Sequence, residues 1–334
     1  MFFKIKQPNS VAENYDVYYR HGTESIYNKR FEKHLKTPIM EDLLIHKIIK
    51  KSILKSKSKI IKILDHGCGD GRFNFLFEKI AKKYSNIKFE IISYDISRVG
   101  FQIMSENLLE DKYKFTKING VLKKYNHYKD GNFAYNIGSF KKDNLSFKLV
   151  HGSEHDDPKY TKKFTKNVNI TMSMFGVFCN MPYRKNRITT LKFFNQITTD
   201  SIIVTVVTPK IFQKEANAYT LMKKHGLNLG DAIEEGDFYY AINNAEFSAD
   251  SVRNQEPVLN FGHGYTSFEL KDYAKESGLL ENSEIFINTV KFPTRFTSRI
   301  QSYIDMLLVK FLNKFFPCGF WDKHVHYLGL IVSK

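Results

Sequence analysis

Three glycines stand within five positions at one corner of this chain. The segment ILDHGCGDGRF, residues 63–73, places them between a short β-branched run and an aromatic-rich stretch. Glycine has no side chain and tolerates positive φ, so such a cluster is typical of a backbone that lies close against a ligand. The chain is therefore expected to leave a strand, turn beside a ligand and enter a helix at this point.

Apolar strands and helices alternate on both sides of the corner. KIIKIL precedes it and FEIISYD follows it, and the stretch between them places Phe73, Phe77, Ile80 and Tyr84 at helical spacing. LSFKLVHG, VNITMSMFGVF and SIIVTVVT are further strand candidates, and SRVGFQIMSENLLE and RITTLKFFNQI are further helix candidates. Strands that are apolar throughout and alternate with helices indicate a parallel sheet covered on both faces.

Two more strands close the chain, SEIFINTVKF and HVHYLGLIVSK, and their pattern predicts an antiparallel pair. The predicted fold is α/β, a doubly wound, mostly parallel seven-stranded sheet with helices on both faces and a terminal antiparallel strand pair. Ligands of such sheets bind beyond the carboxyl ends of the strands. Between the closing strands one helical stripe is predicted to face the core, with contact to a membrane surface as the alternative. It comprises Ile300, Ile304, Leu307, Leu308, Phe311 and Phe315.

Two stretches interrupt the alternation. Residues 111–144 are too long for a bare loop, and the segment VLKKYNHYKDGNFAYNIGSF within them predicts an inserted hairpin that turns at Asp130–Gly131. Residues 210–264 predict a small lobe rich in aromatic side chains. Both stretches are interpreted as insertions in the sheet domain.

The boundaries of the domains follow from these elements. Thr266 and Glu269 predict a capping box for a helix over residues 267–277, after the second insertion. We divide the chain into an N-terminal helical cap, residues 1–58, and the sheet domain, residues 59–334. A chain of this length can bury a substantial core.

Composition excludes several classes of protein. No apolar run approaches the roughly 20 residues that a membrane span needs. Cys68, Cys179 and Cys318 are too far apart in the sequence to suggest a disulfide framework or a CxxC metal site. We therefore expect a cytoplasmic protein with no stable membrane insertion and no metal. The oligomeric state is left open.

The formal net charge of +16 raises the possibility of a nucleic-acid partner. Phosphate and base recognition favours arginine and local basic clusters, whereas only nine of the 51 basic residues are arginine and the lysines are spread along the chain. The densest basic run is KIIKKSILKSKSKIIK, residues 47–62. A nucleic-acid partner and a lysine-rich compositional habit both fit this charge.

The spacing of the glycines distinguishes between nucleotide cofactors. A dinucleotide fold needs GxGxxG, whose third glycine lets the helix pack closely on the strand. Here Arg72 stands in the place of that third glycine, and its size disfavours NAD. Asp65 precedes the glycines and Asp95 ends the next strand, so acidic side chains flank the corner.

In combination, LDHGCGDGRF, SYDIS, VHGSEHDDP and MSMFGVFCNMP resemble the motif series of the class I, Rossmann-like S-adenosylmethionine-dependent methyltransferases. The resemblance covers residues 60–210 and, through the closing strands, extends to residue 334. It implies the doubly wound fold described above, a methyltransferase domain over residues 59–334 and S-adenosyl-L-methionine as cofactor.

The resemblance implies a role for each matching residue of the corner. Its backbone would approach the methionine part of the cofactor, with N–H groups near the carboxylate; the residues are Gly67, Cys68, Gly69 and Gly71. Asp65 would lie near the amino group, Asp95 would accept the ribose hydroxyls and Ile96 would lie against the adenine. The alternatives are that Asp65 and Asp95 only cap the following helices, and that His66 packs instead of touching the cofactor.

Later motifs supply further cofactor contacts. The segment GSEHDDP matches the one that meets the adenine amino group in this family, which makes Glu154 and His155 candidates. Ser153 stands where the family often has Asp, so the adenine contact departs from the pattern. Ser173 and Phe175 follow the next strand and are implied to touch the cofactor. His155 as an ordinary turn residue and Phe175 as a packing residue are the alternatives.

Candidate acceptor-binding residues come from three parts of the chain. Asn180 follows the fourth strand, Tyr18 belongs to an N-terminal segment that often covers the cofactor in this family, and Tyr240, His263 and Tyr265 lie in the second insertion. Aromatic side chains with polar tips can stack on a planar acceptor. Plain packing in the lobe is the alternative for each of them.

The resemblance implies transfer of a methyl group from the sulfonium to an acceptor. Small molecules are slightly favoured over tRNA or protein as acceptor, because no RNA-binding module is recognisable. Methyl transfer depends mainly on positioning, so no catalytic residue is named. A non-catalytic S-adenosylmethionine-binding scaffold or regulatory subunit is the alternative function.

Overall fold

The computed structural model describes residues 39–116, 135–152, 162–163, 165–174, 176–181, 183–208, 237–242, 258–289, 307–308, 311–315 and 327–334. Its strands are β1 (Ile60–His66), β2 (Lys88–Asp95), β3 (Lys114–Thr116), β4 (Tyr135–Lys142), β5 (Leu145–His151), β6 (Val168–Ser173), β7 (Thr198–Val207), β8 (Asp237–Ile242), β9 (Val258–His263), β10 (Ser283–Thr289) and β11 (Tyr327–Ser333). Its helices are α1 (Ile39–Lys55), α2 (Asn74–Lys83), α3 (Arg98–Glu110), α4 (Arg184–Ile197) and α5 (Ser267–Glu276).

Within these residues the main sheet has the strand order β10-β11-β7-β6-β1-β2-β5-β4-β3, and β8 and β9 form a separate antiparallel pair. The five strands β7, β6, β1, β2 and β5 are parallel. The chain runs outward from β1 to β2 and β5, then returns to β6 on the other side of β1. This reversal makes the carboxyl ends of β1 and β6 a topological switch point, where doubly wound sheets bind ligands.

The predicted count of seven strands is wrong, because the sheet has nine. β11 lies antiparallel to both β7 and β10, as the pattern of the closing strands predicts. The two added strands, β3 and β4, come from the first predicted insertion. β4 connects to β5 through the two residues Asp143 and Asn144, so it pairs with the open edge of β5 and extends the sheet. The predicted turn at Asp130–Gly131 lies outside the described residues.

Helices cover both faces of the sheet, each with its own core. On one face, α1, α2 and α3 bury Ile49, Phe77 and Met104 against the sheet. On the other face, α4 and α5 bury Phe194 and Leu270 against it. Since α1 packs into the same core as β1, at least this part of the predicted N-terminal cap is continuous with the sheet domain.

Short polar contacts define where two helices begin. The Ser97 side chain accepts the N–H of Gly100 and caps α3. Thr266 accepts the N–H of Glu269 at 3.2 Å and caps α5, as predicted. The Glu269 carboxylate instead accepts hydrogen bonds from other side chains, so the reciprocal half of the capping box is replaced.

The helical stripe predicted to face the core before β11 is only partly described. Leu307, Phe311 and Phe315 are exposed, whereas Leu312 is buried and Leu308 packs on the core. Of the described members of the predicted stripe, only Leu308 therefore faces the core, together with Leu312, which was not predicted, and the prediction is wrong for Leu307, Phe311 and Phe315. None of the helices among the described residues is long and apolar enough to cross a membrane.

Candidate cofactor site

The glycine corner follows β1 and lies at the carboxyl ends of β1 and β2. Gly67, Gly69 and Gly71 have φ values of +73°, +57° and +89°, which L side chains rarely adopt. The N–H groups of Gly67 and Cys68 both donate to the Tyr94 carbonyl, at 2.7 and 3.2 Å. The corner is therefore tied to the end of the neighbouring strand.

Internal packing also requires two of these glycines. A Cβ at Gly67 would come within 2.4 Å of Val177 Cγ1, and one at Gly71 within 2.4 Å of the Asn74 amide nitrogen. The N–H of Gly71 donates to the Cys68 carbonyl. Packing within the fold thus explains part of the need for glycine at these positions. The N–H groups of Gly67, Cys68 and Gly71 already have acceptors within the protein. A bound carboxylate would need other donors than the ones predicted here.

Asp95 ends β2 and joins the corner to α3. Its Oδ2 accepts the N–H of Gly69 at 2.8 Å, and its Oδ1 accepts the N–H of Ser97 at 2.7 Å. The side chain that caps α3 is Ser97, so Asp95 is not the N-cap. A carboxylate offers about four acceptor positions, so these two N–H groups do not by themselves saturate Asp95.

Asp65 is the most unusual polar group of the corner. Its side chain is 2% exposed, and its Oδ2 has no hydrogen-bond partner. Burial, and secondly the charge of Asp95, raise the pKa of Asp65 to about 7. The N-cap of α2 is Phe73, which excludes Asp65 as that cap. A buried acceptor without a donor is costly unless a ligand supplies one.

Two further polar atoms near Asp65 were not identified from the sequence. Ser93 pairs with Asp65 in the β1–β2 register, and its hydroxyl is buried without a partner. The Asn74 Oδ1, at the start of α2, is also buried without one. Ser93 could have been found as the polar residue of FEIISYD that shares a sheet face with Asp95. Unsatisfied atoms on β1, β2 and α2 therefore surround the corner.

Two residues beside the glycine corner pack inward, namely His66 at the end of β1 and Ser173 at the end of β6. His66 stacks on Tyr94 at 5.4 Å and meets Phe194 edge-on at 4.9 Å, and its Nδ1 lies 3.3 Å from Ser173 Oγ. Of the two roles that the sequence left open for His66, the structure thus shows packing. Burial raises the pKa of the Cys68 thiol well above its ordinary value, which favours the protonated thiol over the nucleophilic thiolate.

The segment after β6, residues 176–181, forms a wall beside the glycine corner, where Val177 lies against Gly67. Residues 177–180 make a short 3-10 turn after Gly176, and the Asn180 side chain donates to the Gly176 carbonyl at 2.9 Å. The Cys179 sulfur accepts the N–H of Val207. Asn180 is half-buried, and its side chain therefore stabilises its own turn. The same turn contains Val177, which lies against Gly67.

His263 and Tyr265, two of the predicted acceptor residues, are fully buried. The Tyr265 hydroxyl donates to the Phe178 carbonyl at 3.1 Å, and His263 Nε2 lies 2.7 Å from Glu269 Oε1. Tyr265 therefore braces the wall segment through Phe178, and His263 packs edge-on against Tyr265 at 4.5 Å. Tyr240 lies in β8, opposite Asn260 of β9.

A buried polar network that the sequence did not reveal continues from Glu269. Tyr273 donates to Glu269 at 2.6 Å, and Arg187 Nε donates to the Tyr273 hydroxyl at 3.3 Å. Arg187 is fully buried in α4, and its Nη1 donates to the Met181 carbonyl at 3.0 Å. The arginine thus anchors the end of the wall segment. Nothing in the segment RITTLKFFNQI predicted that Arg187 is buried, because contacts between distant elements are not visible in one sequence.

Several predicted site residues lie outside the described residues, namely Tyr18, Glu154, His155 and Phe175. Ile96 is described and half-buried, and its carbonyl lies 2.9 Å from His151 Nε2. Within the described part of the chain, no group of three His, Cys, Asp or Glu side chains could hold a metal ion.

Comparison with known proteins gives similarity at the level of structure alone. No protein-family model matches the chain, and no curated protein matches it. Many of the solved structures to which it is similar are described as SAM-dependent methyltransferases. One from Clostridium acetobutylicum has 13% identity and a TM-score of 0.41, covering 86% of this chain and 88% of that one.

Two others extend over most of both chains. One from Methanosarcina mazei has 12% identity and a TM-score of 0.43, covering 84% of this chain and 96% of that one. One from Anabaena variabilis has 10% identity and a TM-score of 0.42, covering 100% and 99%. At such identities and TM-scores, similarity does not by itself identify an activity.

Proposed function

We propose that this protein is a class I S-adenosylmethionine-dependent methyltransferase. The observation that carries the proposal is the buried Asp65 Oδ2, which lacks a donor beside a glycine corner that Asp95 flanks. An ammonium group next to a carboxylate offers both a donor and the compensating charge. S-adenosylmethionine carries such an ammonium on the same molecule as a ribose diol, which matches the two carboxylates.

Two acidic residues of the corner fit the ammonium and the ribose of this cofactor, whereas its carboxylate needs donors other than the N–H groups of residues 67–69 and 71. Asp65 would accept the ammonium, and Asp95, whose carboxylate also accepts the N–H groups of Gly69 and Ser97, would accept the ribose hydroxyls. Ile96 follows Asp95 directly and would lie against the adenine. Glu154 and His155 are proposed for the adenine amino group, and Ser173 and Phe175 for the side towards β6.

The bound cofactor supplies a methyl group that is already activated by the sulfonium. The chain would therefore contribute chiefly by holding the acceptor in line with that methyl group, and positioning of this kind is worth up to roughly 7–11 kcal/mol. The wall of residues 176–181 is held by Tyr265 and Arg187 from behind. Such a rigid wall suits positioning better than proton transfer.

Two other functions are less well supported. An NAD-dependent oxidoreductase would not use the Asp65 acceptor, because NAD carries no ammonium group to meet it. A non-catalytic scaffold that binds S-adenosylmethionine would share the whole corner, so turnover alone separates it from the enzyme. The acceptor is a small molecule, a tRNA or a protein, and the cofactor corner does not choose among them.

Two measurements test the proposal. Calorimetry should show binding of S-adenosylmethionine and S-adenosylhomocysteine to the full chain and no binding of NAD. Tritiated methyl transfer into fractionated cell extract should then label one fraction and release S-adenosylhomocysteine. NAD binding would contradict the cofactor assignment, and binding of S-adenosylmethionine without transfer to any fraction would favour the scaffold.

A further inference from the structure

A group of eight lysines lies at the edge of the sheet opposite the glycine corner. Parallel strands begin at that edge, and α1 and α2 end there because each precedes a strand. Eight exposed lysines lie on the two helix ends, the turn after α1 and the starts of β1 and β2. This lysine corner comprises Lys50, Lys51, Lys55, Lys57, Lys59, Lys82, Lys83 and Lys88.

Contacts between the elements show that the lysine corner is one continuous surface. The N–H of Lys88 donates to the Lys59 carbonyl at 2.8 Å, which joins the starts of β1 and β2. The rings of His46, in the middle of α1, and Tyr84, after the last residue of α2, stack at 6.0 Å, which places the end of α2 against α1. Folding therefore brings together lysines of residues 50–59 and 82–88, which are separated in the sequence.

Negative charge is scarce within this surface. No Asp or Glu occurs in residues 43–62 or in residues 79–89. Two carboxylates contact it. Glu90 accepts a hydrogen bond from Lys88 Nζ at 2.6 Å and lies 4.0 Å from Lys62, and Asp200 accepts the hydroxyl of Ser52 in α1. Two carboxylates do not neutralise eight exposed ammonium groups, so the corner keeps a positive potential.

Stabilisation of helix ends explains only part of the cluster. Lysines in the last turn of a helix interact favourably with its dipole, which accounts for Lys55, Lys82 and Lys83. It does not account for Lys57 and Lys59, which lie on the turn and next to β1, outside any helix. Their placement extends the positive surface beyond the helices.

We infer that the lysine corner binds the phosphate backbone of RNA. Lysine acts as a point charge towards phosphate, and several lysines without an arginine fork contact the backbone and do not read bases. An anionic membrane fits less well, because surface helices also insert an apolar face. The apolar residues Ile45 and Ile49 of α1 are buried in the core, which leaves only Leu54 and Ile60 as exposed large apolar residues between Lys50 and Lys62.

The choice of RNA over duplex DNA rests on the proposed methyl transfer. Unpaired bases in RNA loops expose atoms that can accept a methyl group, whereas a base in duplex DNA must first be flipped out. α1 and α2 pack on the sheet, so neither is free to enter a major groove. β1 is seven residues long, which puts the lysine corner about 20 Å from the glycine corner. A folded RNA can span that distance.

The test uses the full chain, labelled mixed tRNA and fluorescence anisotropy at several salt concentrations. We expect binding that weakens steeply with salt, because each neutralised phosphate releases counterions. The variant K50Q/K57Q/K59Q/K82Q should lose roughly tenfold or more in affinity at 0.1 M salt, and its log–log salt slope should fall by about 3. The two-residue variant K57Q/K59Q should show an intermediate loss without touching either helix.

A matched control removes four exposed lysines from the other face, on α4 and α5, in the variant K185Q/K192Q/K271Q/K275Q. Its affinity for tRNA should stay within about twofold of the parent, since these lysines lie outside the corner. Absent tRNA binding, an equal loss in the control, or stronger binding to duplex DNA or to vesicles of anionic lipid would overturn the inference. S-adenosylhomocysteine affinity, measured on the same samples, tests the proposed function separately.

Discussion

The carboxylate of Asp95 accepts the N–H of Gly69 at 2.8 Å across the ends of two neighbouring strands. The same side chain accepts the N–H of Ser97, so one residue connects the glycine corner to α3. The proposed ribose-binding residue thus also fixes the shape of its own site. A substitution there should affect folding and cofactor binding together.

Asp95→Ala should weaken binding of S-adenosylhomocysteine by roughly tenfold or more and lower the melting temperature. Two buried N–H groups lose their acceptor, and each costs about 1–3 kcal/mol. Ser97→Ala is the control, because it removes only the cap of α3, worth about 1 kcal/mol. For both variants, calorimetry measures the affinity and thermal unfolding measures the melting temperature. Unchanged affinity in folded Asp95→Ala would remove Asp95 from the site.

Asp65 makes cofactor binding depend on pH. Its pKa is raised to about 7, so below that pH the carboxyl is protonated and cannot pair with the ammonium. Affinity for S-adenosylhomocysteine should therefore rise up to tenfold per pH unit from pH 5 to 7 and then level off. It should fall again above about pH 8, where an α-amino group loses its proton. Calorimetry at constant ionic strength should show the acid limb in the parent and its loss in Asp65→Asn.

The same group should make the ligand-free protein less stable as pH rises. The folded state holds the Asp65 proton more tightly than the unfolded state, so its contribution favours folding at low pH and is lost between about pH 4 and 7. A rise in pKa from 3.8 to about 7 corresponds to up to about 4 kcal/mol at pH 8. Asp65→Asn should therefore unfold at higher urea than the parent at pH 8, with a smaller difference at pH 5. The exposed Asp111→Asn is the control, and equal behaviour of both variants would argue against a strained Asp65.

Gly67 and Val177 should behave as one packing unit. Gly67→Ala places a methyl group within 2.4 Å of Val177 Cγ1 and should destabilise the fold. Val177→Ala removes that clash, so the double variant should recover part of the loss, while the strain of φ +73° remains. A double-mutant cycle by urea unfolding measures the coupling. Additive effects would mean that the wall segment does not rest on the corner.

Arg187 and Arg184 lie on the same helix with opposite surroundings. Arg187 is fully buried between Met181 and Tyr273, whereas Arg184 makes an exposed ion pair with Glu276. Arg187→Met should cost about 3–5 kcal/mol of unfolding free energy, because it leaves buried partners unsatisfied. Arg184→Met should cost less than about 1 kcal/mol. Similar losses in both variants would contradict the bracing role given to Arg187.

The order of elements was predictable because local periodicity fixes it. The strand ending at Asp95, the helix after Ser97 and the cap at Thr266 all follow from nearby residues. The addition of β4 to the sheet was not predictable, since it depends on which strand edge stays open after folding. The partial burial of the stripe near Phe311 depends likewise on neighbours that are distant in sequence.

The candidate site divides in the same way. Asp65, the glycines and Asp95 were recognisable because they are close in sequence and flank strand ends. Two other features join residues up to about a hundred positions apart, namely the contact of Gly67 with Val177 and the hydrogen-bonded network from Arg187 to His263. The Ser93 hydroxyl is seen to lack a partner only in the folded structure. Only the folded arrangement shows that Tyr265 contacts residues 176–181 and that His263 packs against Tyr265.

A crystal structure of the full chain with S-adenosylhomocysteine would show whether Asp65 and Asp95 hold the nucleoside. The amino nitrogen of the ligand should lie within about 3.2 Å of Asp65 Oδ2. Both ribose hydroxyls should donate to the Asp95 carboxylate. The nucleoside bound elsewhere, or a side chain filling the space beside Gly69 with Asp65 still without a partner, would contradict the proposed roles of Asp65 and Asp95.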